Sequence, residues 1–246
     1  MSLAIVSAMR EELRALLPLL AGARVQRCAG RDFHVGTLAG RPAVLVLSGI
    51  GKVAAAATAA LAIDRFHARS VLFTGVAGGL GAGVGVGDVV VADALLQHDL
   101  DVSPLFPRWE VPLTGRARFA TEVSRRALLE QAALEVLRAP HPMLAGFGLS
   151  ATRLHTGLVI SGDRFVSSAA ESQALRAALP DALAVEMEGA AMAQVCADFD
   201  VPLVVIRTIS DRADDTAHVD FGRFVAEVAA EYTRDIVQAA LARGLA

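Results

Sequence analysis

Apolar positions along this chain fall into two rhythms. Short, mostly apolar runs at residues 3–7, 70–74, 88–92 and 203–209 predict buried strands, and 154–161 and 182–185 predict further strands. Between them the spacing turns helical. Residues 11–20 carry Leu13, Leu16, Leu17 and Leu20 on one face, and further helices are predicted over 51–67, 121–138, 169–179, 188–198 and from Asp220 to 242. Residues 35–38 and 43–47 flank Gly40-Arg41-Pro42, a turn signal, and predict a hairpin. Three segments break the rhythm: a glycine-rich loop over 75–87, a polar stretch over 97–115 with three prolines and Trp109, and a surface excursion over 139–149. Strands alternating with helices imply an α/β layered fold with a largely parallel sheet, made mixed by the hairpin. No linker, composition break or repeat divides the chain, so residues 1–246 are expected to form a single domain.

Composition narrows the classes. Of 246 residues, 54% are hydrophobic and 20% charged, enough apolar material for a sizeable core and too much for disorder. The 23 basic and 26 acidic side chains leave a net charge of -3, with no basic surplus to seek nucleic acid or an acidic membrane. Mean hydropathy is high at +0.49, but the longest mostly apolar stretch, 53–63, stops at Asp64-Arg65. A spanning helix needs about 20 apolar residues. Cys28 and Cys196 are far apart, with no CxxC and no metal-type spacing; a disulfide is conceivable but not needed. The N-terminus lacks a basic leader and runs straight into a strand, so the cytoplasm is the default compartment. Lys52 is the only lysine, which reads as codon bias.

Several chemical motifs fail on inspection. The loop Gly75-Val76-Ala77-Gly78-Gly79-Leu80-Gly81 contains no GxGxxG and leads into a strand, so no helix N-terminus faces a pyrophosphate. Gly51-Lys52 lacks the first glycine and the hydroxyl residue of a P-loop. His98-Asp99-Leu100-Asp101 could ligate a metal, but reads more simply as a turn held by Asx-type hydrogen bonds. Three carboxylates are more suggestive: Glu12 after the first strand, Glu188 between a strand and a helix, and Asp211 ending an apolar strand. Ligands of open α/β sheets bind beyond strand ends, where such groups suit acid–base work, although acids there also cap helices.

At this point the chain resembles the 5′-methylthioadenosine/S-adenosylhomocysteine nucleosidase branch of the purine nucleoside phosphorylase-like family. The resemblance rests on Ala8-Met9-x-Glu11-Glu12, Ser48-Gly49-Ile50-Gly51-Lys52, Thr74-Gly75-x-Ala77-Gly78-Gly79, Val86-Gly87-Asp88, His98-Asp99-x-Asp101-Val102, Ser161-Gly162-Asp163-x-Phe165, Val185-Glu186-Met187-Glu188 and Arg207-x-Ile209-Ser210-Asp211, in the family's order over almost the whole chain. It implies a three-layer α/β/α sandwich around a twisted mixed sheet, and hydrolysis of an N-glycosidic bond without metal or organic cofactor. By resemblance, Glu12 would activate water and Asp211 would protonate adenine N7. Phe165 would stack on the base, beside the Val166 backbone. Glu188 would hold the ribose hydroxyls with Met187 against the sugar, and Arg207 would orient the Glu12 side. Met9, Ile50 and Phe221 would line the 5′-thio pocket, with Gly78 and Ser210 among the substrate contacts. Val102 and Leu105 would close the pocket of a partner subunit, which implies a homodimer, with Trp109 at the interface or lid.

The chain departs from the family pattern at Val76, where a hydroxyl residue is common, at Leu105, where an aromatic usually stands, and in a longer 139–156 connection. Three rivals remain: a purine nucleoside phosphorylase, a hydrolase of another nucleoside such as futalosine, and a non-catalytic nucleoside-binding module. Related phosphorylases carry an arginine at the position of Phe73, and Glu12 would repel a phosphate dianion, so hydrolysis is expected over phosphorolysis.

Overall fold

The computed structural model describes residues 2–139, 142–149, 151–213 and 221–245. Its centre is a ten-stranded mixed sheet. β1 (Ser2–Ser7) lies parallel between β4 (Arg41–Leu47) and β5 (Ala68–Gly79), with Leu3 to Val6 buried on both faces, as the unbroken apolar run requires. On one side β2 (Ala21–Cys28) and β3 (Arg31–Leu38) extend the sheet by antiparallel hairpins. Their two-residue turns, Ala29-Gly30 and Ala39-Gly40, have positive φ at both positions, the I′ geometry that matches strand twist.

On the other side the sheet closes on itself. β5 pairs with β10 (Leu203–Asp211), β10 with β6 (Val89–Gln97), β6 with β8 (Leu154–Ser161), β8 with β9 (Ala182–Glu186), and β9 returns to β5. The short β7 (Phe119–Ala120) borders β6. Helices cover both faces. The alanine-rich α2 (Lys52–Asp64) packs closely on α5 (Gly189–Asp198) through Ala55, Ala59, Ala190 and Ala193. On the opposite face sit α1 (Arg10–Leu16), α3 (Val123–Val136), α6 (Phe221–Phe224) and α7 (Ala230–Ala242). α4 (Ala169–Ala178) flanks β8 and β9. The mixed, helix-covered sheet is the expected architecture.

Four expectations change. Residues 75–79, read as loop, form the second half of β5. Glycines there let β9 and β10 approach, and an added Cβ at Gly75 would meet the Arg207 guanidinium at 3.0 Å. β2 escaped the pattern because almost all its side chains are exposed, so it has no buried face to show periodicity. The helix expected over 11–20 ends at Leu16 and continues as a 3₁₀ turn, Leu17–Leu19, at Pro18, which has no N–H for an α-helical bond. Similarly, the C-terminal helix contains a π turn, Val225–Ala229, between α6 and α7, while its expected start at Asp220 lies outside the described residues. Cys28 and Cys196 are both free thiols.

Candidate active site

The ring closure decides where the three acids meet. β9 runs antiparallel to the end of β5, so the chain after Val185 falls back towards the carboxyl end of β1 rather than away from it. β10 runs alongside β5 until Asp211 stands beside Gly78. The resulting cleft is lined by Ala8 and Met9 after β1, Ile50 after β4, Val76, Ala77 and Gly78 of β5, and Val185 to Glu188, with Ser210, Asp211, Phe165 and Phe221 completing it. Phe165 and Phe221 meet edge to face at 6.3 Å. Gly78 is required by close approach, since a Cβ there would lie 2.8 Å from Ala213 Cβ and 2.9 Å from Asp211 Oδ1.

Each carboxylate has its own environment. Glu12, at the third residue of α1, is fully buried; the Met9 N–H donates to its Oε2 at 3.3 Å, and Oε1 has no hydrogen-bond partner among the described residues. Burial pushes its pKa up to about 7, against the opposing pull of the Arg207 charge. Glu188 accepts a 2.7 Å hydrogen bond from the Gly51 N–H, and burial followed by the neighbouring Glu186 charge raises its pKa. Asp211 is held in place by the Ser210 hydroxyl and the Ala213 N–H, both donating at 2.8 Å.

Glu186, which sequence reasoning left without a role, does the capping that Glu188 does not. Its carboxylate accepts from the Glu188 and Gly189 N–H groups and from the Ser161 hydroxyl, and Ser161 Oγ in turn accepts from the Ala190 N–H. The first turn of α5 is thereby satisfied, and Glu188 is freed to face the cleft. Glu186 also accepts from Arg207 Nη2 at 2.8 Å, a fully buried ion pair. Arg207 further donates to the Phe73 and Ile206 carbonyls and lies 4.0 Å over the Phe73 ring. It reaches Glu12 through charge alone. The signal for Glu186 was present in the Glu-x-Glu spacing before α5, where one acid can cap and the other can face outward.

Of the residues singled out by resemblance, Met9, Ile50, Gly78, Phe165, Met187, Glu188, Ser210, Asp211 and Phe221 line the cleft. Glu12 and Arg207 are buried, and Val166 sits with its side chain in the core. Val102 and Leu105 do not line this cleft: they lie on the loop after β6, with Leu105 83% exposed. Trp109 is anchored to its own subunit, its Nε1–H donating to the His98 carbonyl at 3.0 Å. Asp101 makes the Asx turn expected of it, accepting from the Ser103 N–H. Asp99 instead accepts from Lys52 Nζ at 2.6 Å and from the Asp163 N–H, while Asp163 accepts from the Lys52 N–H. The sole lysine thus ties the start of α2 to the loop that carries Phe165. Among the described residues no group of three or more His, Cys, Asp or Glu could hold a metal ion.

The family model of the phosphorylase superfamily matches residues 2–242. The 5′-methylthioadenosine/S-adenosylhomocysteine nucleosidase of Mycobacterium tuberculosis (strain CDC 1551 / Oshkosh) is 36% identical over 243 residues, covering 95% of this chain and 94% of that one. The crystal structure of the Neisseria meningitidis nucleosidase of the same name, in complex with methylthio-immucillin-A, superposes with a TM-score of 0.85 at 36% identity over 98% of both chains. A futalosine hydrolase of Helicobacter pylori (strain 26695) also matches, with a TM-score of 0.85 at 32% identity over 98% of this chain and 97% of that one. With its closed mixed sheet and this cleft, the chain belongs to the phosphorylase superfamily and, within it, to the 5′-methylthioadenosine/S-adenosylhomocysteine nucleosidase family.

Proposed function

We propose that this protein hydrolyses the N-glycosidic bond of 5′-methylthioadenosine and S-adenosylhomocysteine, releasing adenine and the thioribose product. The observation that carries the reading is the cleft itself, which gathers Asp211 and Glu188 over a buried Glu12 whose pKa lies near neutrality. An N-glycoside breaks through an oxocarbenium-like state, so the leaving base must be neutralised while water is prepared on the opposite face. Asp211 protonates adenine N7, and Ser210 and the Ala213 N–H hold its carboxylate in position. Glu12, with one oxygen already held by the Met9 N–H, takes the proton of the attacking water through the other. Phe165 stacks on the base, Glu188 accepts from the ribose hydroxyls, and Met9, Ile50 and Phe221 receive the 5′-thio group. No step calls for a metal or organic cofactor.

Hydrolysis is favoured over phosphorolysis by the fate of two positions. Phe73 is fully buried and supports Arg207, so it offers no cation to a phosphate. Arg10 lines a different cleft. The test is product analysis with and without phosphate. Adenine and free thioribose should form in phosphate-free buffer; a sugar 1-phosphate formed only with phosphate would make the enzyme a phosphorylase. Including futalosine in the substrate panel decides whether the H. pylori hydrolase is the better functional match.

The setting follows from the reaction. Removing these by-products of S-adenosylmethionine use is a purine and methionine salvage step, placed in the cytoplasm where the substrates arise. Among the described residues no helix is long and apolar enough to cross a membrane. The working form is a homodimer in which Val102 and Leu105 of each subunit close the other's 5′ pocket.

A further inference from the structure

The only lysine stands where three segments of the cleft meet. α2 is entered at Gly51, whose φ of 97° suits glycine, and its first turn has no acid and no side-chain cap of its own. Remote acids satisfy its N–H groups instead. The Gly51 N–H donates to Glu188 Oε1 and the adjacent Lys52 N–H to Asp163 Oδ1, both at 2.7 Å. The side chain of the same residue turns to a third acid: Lys52 Nζ donates to Asp99 Oδ1 at 2.6 Å, and Asp99 Oδ2 accepts from the Asp163 N–H at 2.9 Å. Lys52, Asp163 and Asp99 thus close a ring of hydrogen bonds, each carboxylate accepting from the next residue round.

The segment held by this ring has few other ties. Between Ser161, which ends β8, and Ser168, which caps α4, one backbone-to-backbone hydrogen bond is made among the described residues, from the Gly162 N–H to the Glu186 carbonyl. Arg164 pairs with Glu171 at 2.6 Å, with most of its side chain in water, and Phe165 touches Phe221 edge to face. Asp163, two residues before Phe165, is therefore the point at which the segment is fixed, by one donor and one acceptor, and both partners belong to the ring. The neighbouring contact is close as well: His98 packs on Gly162 with no room for a Cβ between them.

We propose that Lys52 is a positioning residue for the base subsite: through Asp99 and Asp163 it fixes the segment that sets Phe165 over the purine. It needs no contact with substrate to do so. The inference rests on the nucleosidase reading, which puts the base against Phe165, and deepens it. Without the ammonium, Asp99 is free to turn into water, and the Asp163 N–H loses its fixed acceptor. A partly exposed pair of this kind adds little to stability, so its effect is on geometry. A displaced Phe165 binds the base less well in ground state and transition state alike, which raises KM and spares kcat.

The test measures methylthioadenosine hydrolysis and the calorimetric Kd of adenine for wild type, Lys52→Met, Lys52→Arg, Asp99→Asn and the Lys52→Met/Asp99→Asn double variant. Lys52→Met should raise KM and the adenine Kd about tenfold each, keep kcat within about threefold and change Tm little. Lys52→Arg keeps the charge and should recover most of the affinity. Asp99→Asn keeps an oxygen for the Asp163 N–H but offers Lys52 no charge; it should match Lys52→Met, and the double variant should be no worse than either single. A fall in kcat with KM and Kd unchanged, no change in any of them, or losses that simply add in the double variant overturn the positioning role. If Lys52→Met does not fold, Asp99→Asn decides on the same readings. If wild type hydrolyses neither methylthioadenosine nor S-adenosylhomocysteine, the nucleosidase reading fails, while the adenine Kd series still decides the role of Lys52; wild type that binds no adenine overturns both.

Discussion

The base role proposed for Glu12 depends on the fold keeping it uncomfortable. Burial raises its pKa from 4.5 to about 7, so at neutral pH it can both lose a proton and take one back. Activity should follow: log kcat/KM should fall as pH drops below about 7, a limb shared with Glu188, which in the proposed reaction must also be ionised to accept from the ribose. Glu12→Gln should cost about 10²–10⁴ in kcat. The same shift makes a stability statement. A carboxyl whose folded pKa is raised stabilises the fold fully below pH 4.5 and loses that contribution as pH rises through about 7. Glu12→Gln should therefore melt above wild type at pH 8, with the gap closing towards pH 4; a variant less stable than wild type at pH 8 would show that the ionised carboxylate is satisfied after all. Asp211→Asn keeps the shape and the Ala213 contact but has no proton to give N7. It should fold normally and lose several orders of magnitude in kcat. Retention of more than about a tenth of wild-type rate would remove Asp211 from the acid role.

At the level of elements, the chain was most legible where burial was even and least where it was one-sided or absent. Runs such as Leu203 to Ile209, buried on both faces, announce themselves by hydrophobicity alone. β2 exists only because β3 offers it an edge, and nothing in its own side chains says so. The glycines of β5 look like a loop for the same reason: their value lies in what approaches them, Arg207 at Gly75 and Asp211 at Gly78, which is tertiary information. The acids at the ends of β9 and β10 could be found by position, but the division of labour between Glu186 and Glu188 could not. That division makes a prediction. Glu186→Gln should leave Arg207 as an uncompensated buried charge and destabilise the protein by about 3–5 kcal/mol, measured by denaturant unfolding. It should also lower the pKa of Glu188, since the Glu186 charge helps raise it, and move the acid limb of kcat/KM to lower pH. An unchanged limb in a variant that still folds would mean that Glu188 does not contribute to that limb.

For the molecule as a whole, the unfinished part of the site is its apolar mouth. Ile50 is 65% exposed and Phe165 46% exposed, although the proposed reaction needs the oxocarbenium-like state shielded from stray water. Nearby on the chain, Val53 at the start of α2 is 81% exposed, and Leu105 and Leu113 of the loop after β6 are 83% and 92% exposed. Gathered into one patch across a subunit interface, such side chains would be covered. The loop itself is well held: Trp109 fastens it to the His98 carbonyl, and Asp99 fastens its base to Lys52, so Leu105 projects from a rigid support. A two-fold dimer would lay this loop over the partner's cleft and answer both needs at once, since the same patch serves both subunits. The protein should therefore scatter light as a dimer at micromolar concentration. Leu105→Asp, which touches no described catalytic group of its own subunit, should both dissociate the dimer and lower kcat/KM. A wild-type monomer with full activity would end the proposal, and a Leu105→Asp variant that stays dimeric and fully active would take this loop out of the interface.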